Sequence, residues 1–406
     1  MSIAQGVSKQ TRVSKQSAKG TIAAAGGGQI LRREQSTFEL AKETYTTESE
    51  ITSTQQVKSS RHGVKTVNGS VNGILSPGTY SGLIGSVLRR DFAAVTAISS
   101  LSITISGSGP SYTVARSAGS WLTDGIKVGM VVRLTAGSFS PGNLNNNMLV
   151  LAVTALNLTV MTLNGSSLTA QGPIASATLS VPGKVSYVPD SGHTKDYYTV
   201  EEWYPDAAVS ERNTDVRFVS ADFSLPGSGN AKISLSAIGL DQSNATSAYF
   251  TSPTAETSTD ALVAANGLLL VNGSSVAVVT DLRISVNGNG NPADGVVGSN
   301  VRPDVFVGKV SVTGQFTAYF EGGTIPGLYL DETETSIISA LAAGSENNAD
   351  FMTLAMSAVK LNSSSPDDNE TGLKRTYSFV ATYDSTGGVG ADTHATSLMI
   401  HDSRAA

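Results

Sequence analysis

The sequence predicts a mainly β protein: two tandem β-sandwich or barrel units, each with one flanking helix, plus a small inserted β-barrel-like domain. Three observations carry this. Apolar and polar residues alternate over many short runs separated by Gly, Asn and Pro, the period of half-buried strands. A strand leading into a helix recurs: GVKTVNGSVNGIL (63–75) runs into a helix at Ser76, and GKVSVTGQFTAYF (308–320) into one near Asp331, each strand carrying a Lys and a Val-X-Gly element. From about 95 to 183 the only charged residues are Arg116, Asp124, Lys127 and Arg133, which marks an insertion.

The clearest strands are 215–225, 231–240, 276–286, 308–321 and 374–383, with 226–230 (Pro-Gly-Ser-Gly-Asn) as a hairpin loop. In 308–321, Val310, Val312, Phe316, Ala318 and Phe320 share a dry face. Lys309, Ser311, Thr313, Gln315, Thr317, Tyr319 and Glu321 share a wet one, as in a sandwich or barrel wall. For the first helix, Ser76 is the N-cap, Pro77 the first helical residue, and Tyr80, Leu83, Ile84, Val87 and Leu88 the apolar stripe, with Arg89 and Arg90 at the C-terminal dipole. The second begins near Asp331, with Glu332 and Glu334 in its first turn, Ile337, Ile338 and Leu341 as its stripe, and Gly344 closing it. Excising the insertion leaves about 316 residues, two units of about 158, an ordinary domain size. The domains are then 1–94 with 184–245 for a discontinuous first unit, 95–183 for a small β decoration domain, and 246–406 for the second unit.

Composition narrows the chemistry. The chain has 406 residues, net charge −6 and no cysteine, which removes disulfide frameworks, thiolate zinc sites, iron–sulfur clusters and cysteine nucleophiles. The mildly acidic balance argues against a protein that grips nucleic acid through a basic footprint. No secretory apolar region opens the sequence and no run approaches ~18 apolar residues, so no membrane partner is expected. His62, His193, His394 and His401 form no i+3 or i+4 metal pair. His401-Asp402-Ser403 alternates faces on a strand and cannot form a relay. Nucleotide and nucleophile-elbow motifs are missing, so no catalytic, metal or cofactor residue is assigned and no cofactor is expected. The run 287–295 (NGNGNPADG) reads as a polar turn, lacking the carboxylates calcium needs. The acidic run 366–370 reads as a solvated loop. The basic N-terminal arm with Lys9, Arg12, Lys15 and Lys19, and the polar segment 44–58 with Glu48 and Glu50, lack the apolar content to fold alone; both are expected to order against neighbouring subunits.

The run QVKSSRHGVKTVNGSVNGILSPGTYSGLIGSVLRRDF (56–92) resembles the signature of tail tube proteins of long-tailed bacteriophages, where an Arg-His-Gly-X-Lys strand leads through Leu-Ser-Pro-Gly-X-Tyr into a helix. The run 197–241 and the ending TSLMIHDSRAA match as well, and 121–129 with NNNMLVLAVTALNLTV looks like the small barrel-like module such proteins carry. The resemblance implies a non-enzymatic virion protein, assembled in the host cytoplasm, whose tube units form rings of about six, stacked into a hollow tail that conducts DNA during ejection. Implied partners are further copies of the chain, the tape measure protein, the tail terminator and distal tail proteins, and double-stranded DNA in transient, non-specific passage.

On this reading Ser311, Thr313, Gln315 and Thr317 form a candidate lumen or inter-subunit face, with a first-half counterpart at Lys65, Val67, Gly69 and Val71 or in the alternate register. Lys9, Arg12, Lys15, Glu48 and Glu50 are the candidate inter-ring contacts. The internal repeat adds a stoichiometry: two units per chain favour a ring of three chains, the alternative being six chains with one enlarged unit each. The competing class is a secreted or surface β-domain adhesin or carbohydrate-binding protein, whose usual export signal, aromatic platforms and calcium carboxylates are weak or absent here.

Overall fold

The structure is a computed structural model that describes residues 3–51, 53–276, 278–367 and 372–406. Strands β1 (Gln10–Lys15), β2 (Gln29–Ile30), β3 (Gln35–Thr46) and β4 (Ser60–Ile74) lead into helix α1 (Ser81–Leu88). Strands β5 (Ile98–Ser108), β6 (Ser111–Arg116), β7 (Val131–Ala136), β8 (Met148–Val153), β9 (Asn157–Thr162) and β10 (Gln171–Ser180) then close into a barrel in the order β10-β5-β6-β9-β8-β7. The chain returns as β11 (Lys184–Tyr187), β12 (Tyr198–Tyr204), β13 (Val209–Pro226), β14 (Lys232–Gly239) and β15 (Asp241–Ala245). It continues as β16 (Gly267–Val271), β17 (Ser274–Ser275), β18 (Val279–Asn287), β19 (Gly290–Pro292), β20 (Val305–Val307), β21 (Ser311–Tyr319), α2 (Thr324–Leu330), β22 (Thr335–Ala342), β23 (Phe351–Pro366), β24 (Lys374–Ala381) and β25 (Met399–Asp402).

Eight strands form one continuous antiparallel wall in the order β3-β4-β14-β13-β18-β21-β24-β23. The pairs β14–β4 and β13–β14 stand in the same relation as β21–β24 and β23–β24. Strands β13 and β23 are long enough to leave the wall and enter an outer layer. There the first part of β13 joins β12, β1, β2 and β15, and the first part of β23 joins β22, β16, β17, β25 and β11. Alternation explains the layering: the dry side of the wall, with Val67, Val71, Phe223, Leu235, Ile284, Phe316 and Phe379, packs with Leu83, Ile84 and Val87 of α1 in one core. Each such side chain contributes about 1.5–3 kcal/mol on burial.

Both helices differ from the sequence reading. Helix α1 begins at Ser81, because Gly78 takes a left-handed φ of 79° that no helical residue can adopt. The turn before it is closed by a 2.6 Å hydrogen bond between Ser76 and Thr79 hydroxyls, and the Asp402 carboxylate accepts from the Gly78 N–H at 2.9 Å. The helix expected near Asp331 is instead strand β22, and α2 lies earlier, over Thr324–Leu330. Ile337, Ile338 and Leu341 fit a 3.6-residue stripe, but a strand buried on both faces produces the same run of apolar residues. β22 is such a strand, held between β16 and β23.

The N-terminal arm also differs from expectation. β1 is paired on one side with β12, from Gln10↔Trp203 to Lys15↔Tyr198, and on the other with β2, and Thr11, Arg12 and Val13 are buried in their own chain.

The barrel has its own core around Trp121, Ile103, Val114 and Leu158. It is also docked: Met130, Val131 and Leu149 share a buried cluster with Val185, Ile338, Phe351, Ala355 and Met399. The dock is closed by polar contacts, with the Thr353 hydroxyl donating to the Gly129 carbonyl at 2.8 Å. His401 accepts from the Val131 N–H at Nδ1 (3.1 Å), and its Nε2 meets the Pro182 carbonyl (2.6 Å). Deleting 95–183 with a short Gly-Ser link bares that apolar face. The variant is expected to lose on the order of 5 kcal/mol in denaturant unfolding; wild-type stability would show that the dock contributes nothing.

Candidate functional site: a polar sheet wall

The second face of the wall is the candidate site. Because each strand alternates, one register puts Asn68, Ser70 and Asn72 of β4, Ser234 of β14, Asp222 and Ser224 of β13, Arg283 and Ser285 of β18, Thr313 and Gln315 of β21, and Ser378 of β24 on the side away from the core. A depression of about 750 Å³ runs across this face and is lined from both halves of the chain. Neighbouring strands are stitched by hydroxyl and amide contacts: Thr317 to Thr376 at 2.8 Å, Thr37 to Ser70 at 2.9 Å, and Ser234 to Asn72 at 2.6 Å.

Its cations are mostly held by local partners. Lys232 pairs with Glu34 at 2.9 Å and Arg283 with Asp281 at 3.0 Å, while Lys374 sits 5.2 Å from the centre of the Tyr319 ring.

Ser311, Thr313, Gln315 and Thr317 share this face, and Val312, Phe316 and Ala318 are buried behind it. In the first half Val67 and Val71 are fully buried, so the counterpart is the alternate register, Asn68, Ser70 and Asn72. Asp222, Ser224 and Ser378 were not singled out from sequence, although the alternation in SADFSL (220–225) carries the signal for the first two.

The structure separates the five arm and loop residues. Glu48 and Glu50 are exposed at the tip of the β3–β4 hairpin. Lys9 instead pairs with Glu202 at 2.6 Å, and Lys15 with Asp91 at 2.8 Å and Asp196 at 3.0 Å. Arg12 is buried against Glu201 at 3.3 Å and donates to the Phe250 carbonyl at 2.8 Å. These three cations are therefore engaged within the chain.

Among the described residues no cluster of His, Asp and Glu is arranged to hold a metal. In 287–295 the Asn289 N–H donates to the Asn287 side chain at 2.8 Å, an Asx turn. Of the acidic run 366–370, residues 368–370 lie outside the described residues. Asp402 faces Gly78 and Arg404 rather than His401, so the adjacent triad-like residues form no relay.

Burial pushes His401 down to about 4, and burial, with help from Lys127 and Arg90, does the same to His394, which stacks on Tyr187 at 4.1 Å. Burial pushes the Asp402 carboxyl up to about 6 against the N–H groups of Arg404 and Gly78. A histidine lowered on folding stabilises above its free value and loses that contribution as pH falls from about 6.5 to about 4, on the order of 3 kcal/mol each. Asp402 has the opposite sign: its contribution is present at low pH and lost as pH rises through about 6. Melting temperature is therefore expected to fall between pH 6.5 and 4, and the fall to be shallower in His394→Phe. Equal slopes would contradict the assignment.

The wall thus has one dry side and one polar side, and among the described residues its outer strands β3 and β23 keep unpaired stretches, the class of architecture found in structural β-sheet proteins. The chain belongs to the phage tail tube protein family: the model of that family, described as phage tail tube protein, matches residues 11–381. No curated protein matches the chain.

Proposed function

We propose that the protein forms stacked rings of a phage tail tube whose lumen is lined by the polar face of the eight-stranded wall and conducts the double-stranded genome during ejection. The observation that carries this is the chemistry of that face. Ser, Thr, Asn and Gln dominate it, and the acids Glu34, Glu39, Asp222 and Asp281 offset the bases Lys232, Arg283, Lys360 and Lys374. Each phosphate neutralised by a free Lys or Arg adds counterion-release affinity, so a wall with paired cations lets DNA slide.

The two halves, 1–94 with 184–245 and 246–406, act as tandem tube units, with 95–183 as a barrel on the outside, and three chains supply a six-unit ring; six chains per ring is the alternative. Glu48 and Glu50 at the hairpin tip reach towards the adjacent ring. Before ejection the lumen holds the tape measure protein, and the ends of the tube meet the tail terminator and distal tail proteins. Assembly takes place in the host cytoplasm and the product resides in the virion tail.

Thr313→Lys combined with Gln315→Lys is expected to leave tubes intact and slow DNA ejection several-fold, with the slowing relieved by salt. Unchanged ejection through normal tubes would place this face away from the DNA.

A further inference from the structure

We infer that the inserted barrel is held by a proton-sensitive latch: in acid it lifts off the rest of the chain as a folded unit, hinged where its two connections run side by side, while the wall and outer layer keep their fold. The inference goes beyond the tube reading and applies to the free subunit, whatever the chain assembles into.

The latch is His401. It stands on β25, outside the barrel, and is fully buried, yet both ring nitrogens engage backbone groups of the barrel and its return connection. Nδ1 accepts from the Val131 N–H at 3.1 Å and Nε2 donates to the Pro182 carbonyl at 2.6 Å. Only the neutral ring with its proton on Nε2 can do both. A second proton must go on Nδ1, where it points at the Val131 N–H, so the charged ring cannot stay in the dock. The groups around it do not offset that charge. Phe351 of β23 meets the ring edge-on at 4.9 Å, and Arg133 of β7 adds a like charge. Asp402 turns away to the Gly78 and Arg404 N–H groups, with Lys184 of β11 opposite it, and Asp350 is paired with Arg404 at 2.8 Å.

A second contact of the same dock responds in the same direction. Lys127 of the barrel is buried, and its ammonium donates to the carbonyls of Gly388, at 2.7 Å, and Ala391, while the Val128 N–H donates to the Asp392 carbonyl at 2.8 Å. The loop that receives Lys127 also carries His394, stacked on Tyr187, and Arg90 lies 4.1 Å from the centre of that same ring. Protonating His394 sets a third cation near Lys127 and Arg90, with Asp392 as the acid facing Lys127. The contacts of Asn147, whose backbone and side-chain N–H groups donate to the Asn347 and Ala349 carbonyls at 2.7 Å, do not titrate.

The layering lets the barrel leave without breaching either core. The barrel is filled by its own cluster around Trp121 and Ile103. On the other side of the dock, Ile338, Ala355 and Met399 face the barrel, whereas Ile337, Leu354 and Ile400, their neighbours along the same strands, face the core of the wall. The two connections meet at Ala93 and Val185, which exchange backbone hydrogen bonds at 2.9 Å each, and Gly183 beside them takes a left-handed φ of 79°.

A histidine that docks only when neutral supports the dock fully above its free value and loses that support as pH falls below it. With His401 titrating near 6.5 once undocked, opening is expected to grow roughly 25-fold between pH 7 and pH 5 from this ring alone. Residue-resolved hydrogen exchange of the free subunit reads it. The protection factor of the Val131 amide is expected to fall by about that factor or more, while the amides of β6 and β9 in the barrel and of β21 and β24 in the wall keep theirs. His401→Asn, which retains an acceptor near Nδ1 but takes up no proton, is expected to flatten the pH dependence. Lys127→Met is expected to lower Val131 protection at both pH values and leave the slope, which keeps the test decisive alongside the unmodified protein if His401→Asn fails to fold. Equal Val131 protection at pH 7 and pH 5, a loss shared equally by the β6, β9, β21 and β24 amides, or an unchanged slope in folded His401→Asn would overturn the inference.

Discussion

Glu201→Ala is expected to destabilise the fold by about 3–5 kcal/mol, the cost of leaving a buried charge without its partner. Glu201 is fully buried, and its carboxylate accepts from the Ser210 hydroxyl at 2.6 Å, the Phe250 N–H at 3.1 Å and the Tyr249 N–H, and pairs with Arg12 at 3.3 Å. The alanine removes every acceptor at once and strands the Arg12 guanidinium in a buried site. Because Arg12 lies on β1 and Glu201 on β12, while Phe250 belongs to the segment between β15 and β16, the damage spreads through the outer layer of the first half and into the segment that leads on to β16. Denaturant unfolding checks this, and a loss under 1 kcal/mol would show that the group is solvated.

Gly314→Val is expected to prevent the wall from forming, so that little soluble protein accumulates. A Cβ at Gly314 would stand 2.4 Å from the Arg283 carbonyl oxygen on β18 and 2.4 Å from the Phe379 ring on β24. The backbone oxygen is part of the ladder and cannot retreat without opening it, and overpacking of this kind costs at least 1–3 kcal/mol even in cores that adjust. At the corresponding Gly69 the three atoms nearest an added Cβ all belong to the Phe38 ring, the first at 2.2 Å, a side chain that can turn where a ladder carbonyl cannot. Gly69→Val is therefore expected to be the milder of the two by yield and melting temperature; the reverse order would contradict the packing described for β21.

What was legible in the sequence follows from which interactions are local. The wet and dry faces of β21 are readable because Val312, Phe316 and Ala318 alternate with Ser311, Thr313, Gln315 and Thr317 on both sides of Gly314. The counterpart in β4 is ambiguous in the sequence because Val64 and Ile74 share the register of Asn68, Ser70 and Asn72 while Lys65 shares that of Val67 and Val71, and burial of Val67 and Val71 sets the phase. The apolar run of β22 fits both the helical and the strand period, so the sequence predicts a helix there, and its neighbours β16 and β23 make it a strand. The arm's pairing within the chain is not legible locally, because Glu201, Glu202 and Asp196, which neutralise its cations, lie far along the chain. The pairing of β13 with β18, on which the reading of the assembly depends, is a long-range contact with no signature of its own in either strand.

The most direct test of the central claim, that two equivalent tube units in each chain build the ring, is the symmetry of tube cross-sections viewed down the axis by electron microscopy, with the mass of one ring measured alongside. The expected result is three chains per ring, with a lumen wall that repeats six times and a barrel outside every second repeat. Six chains per ring, each contributing one repeat and one barrel, would contradict it.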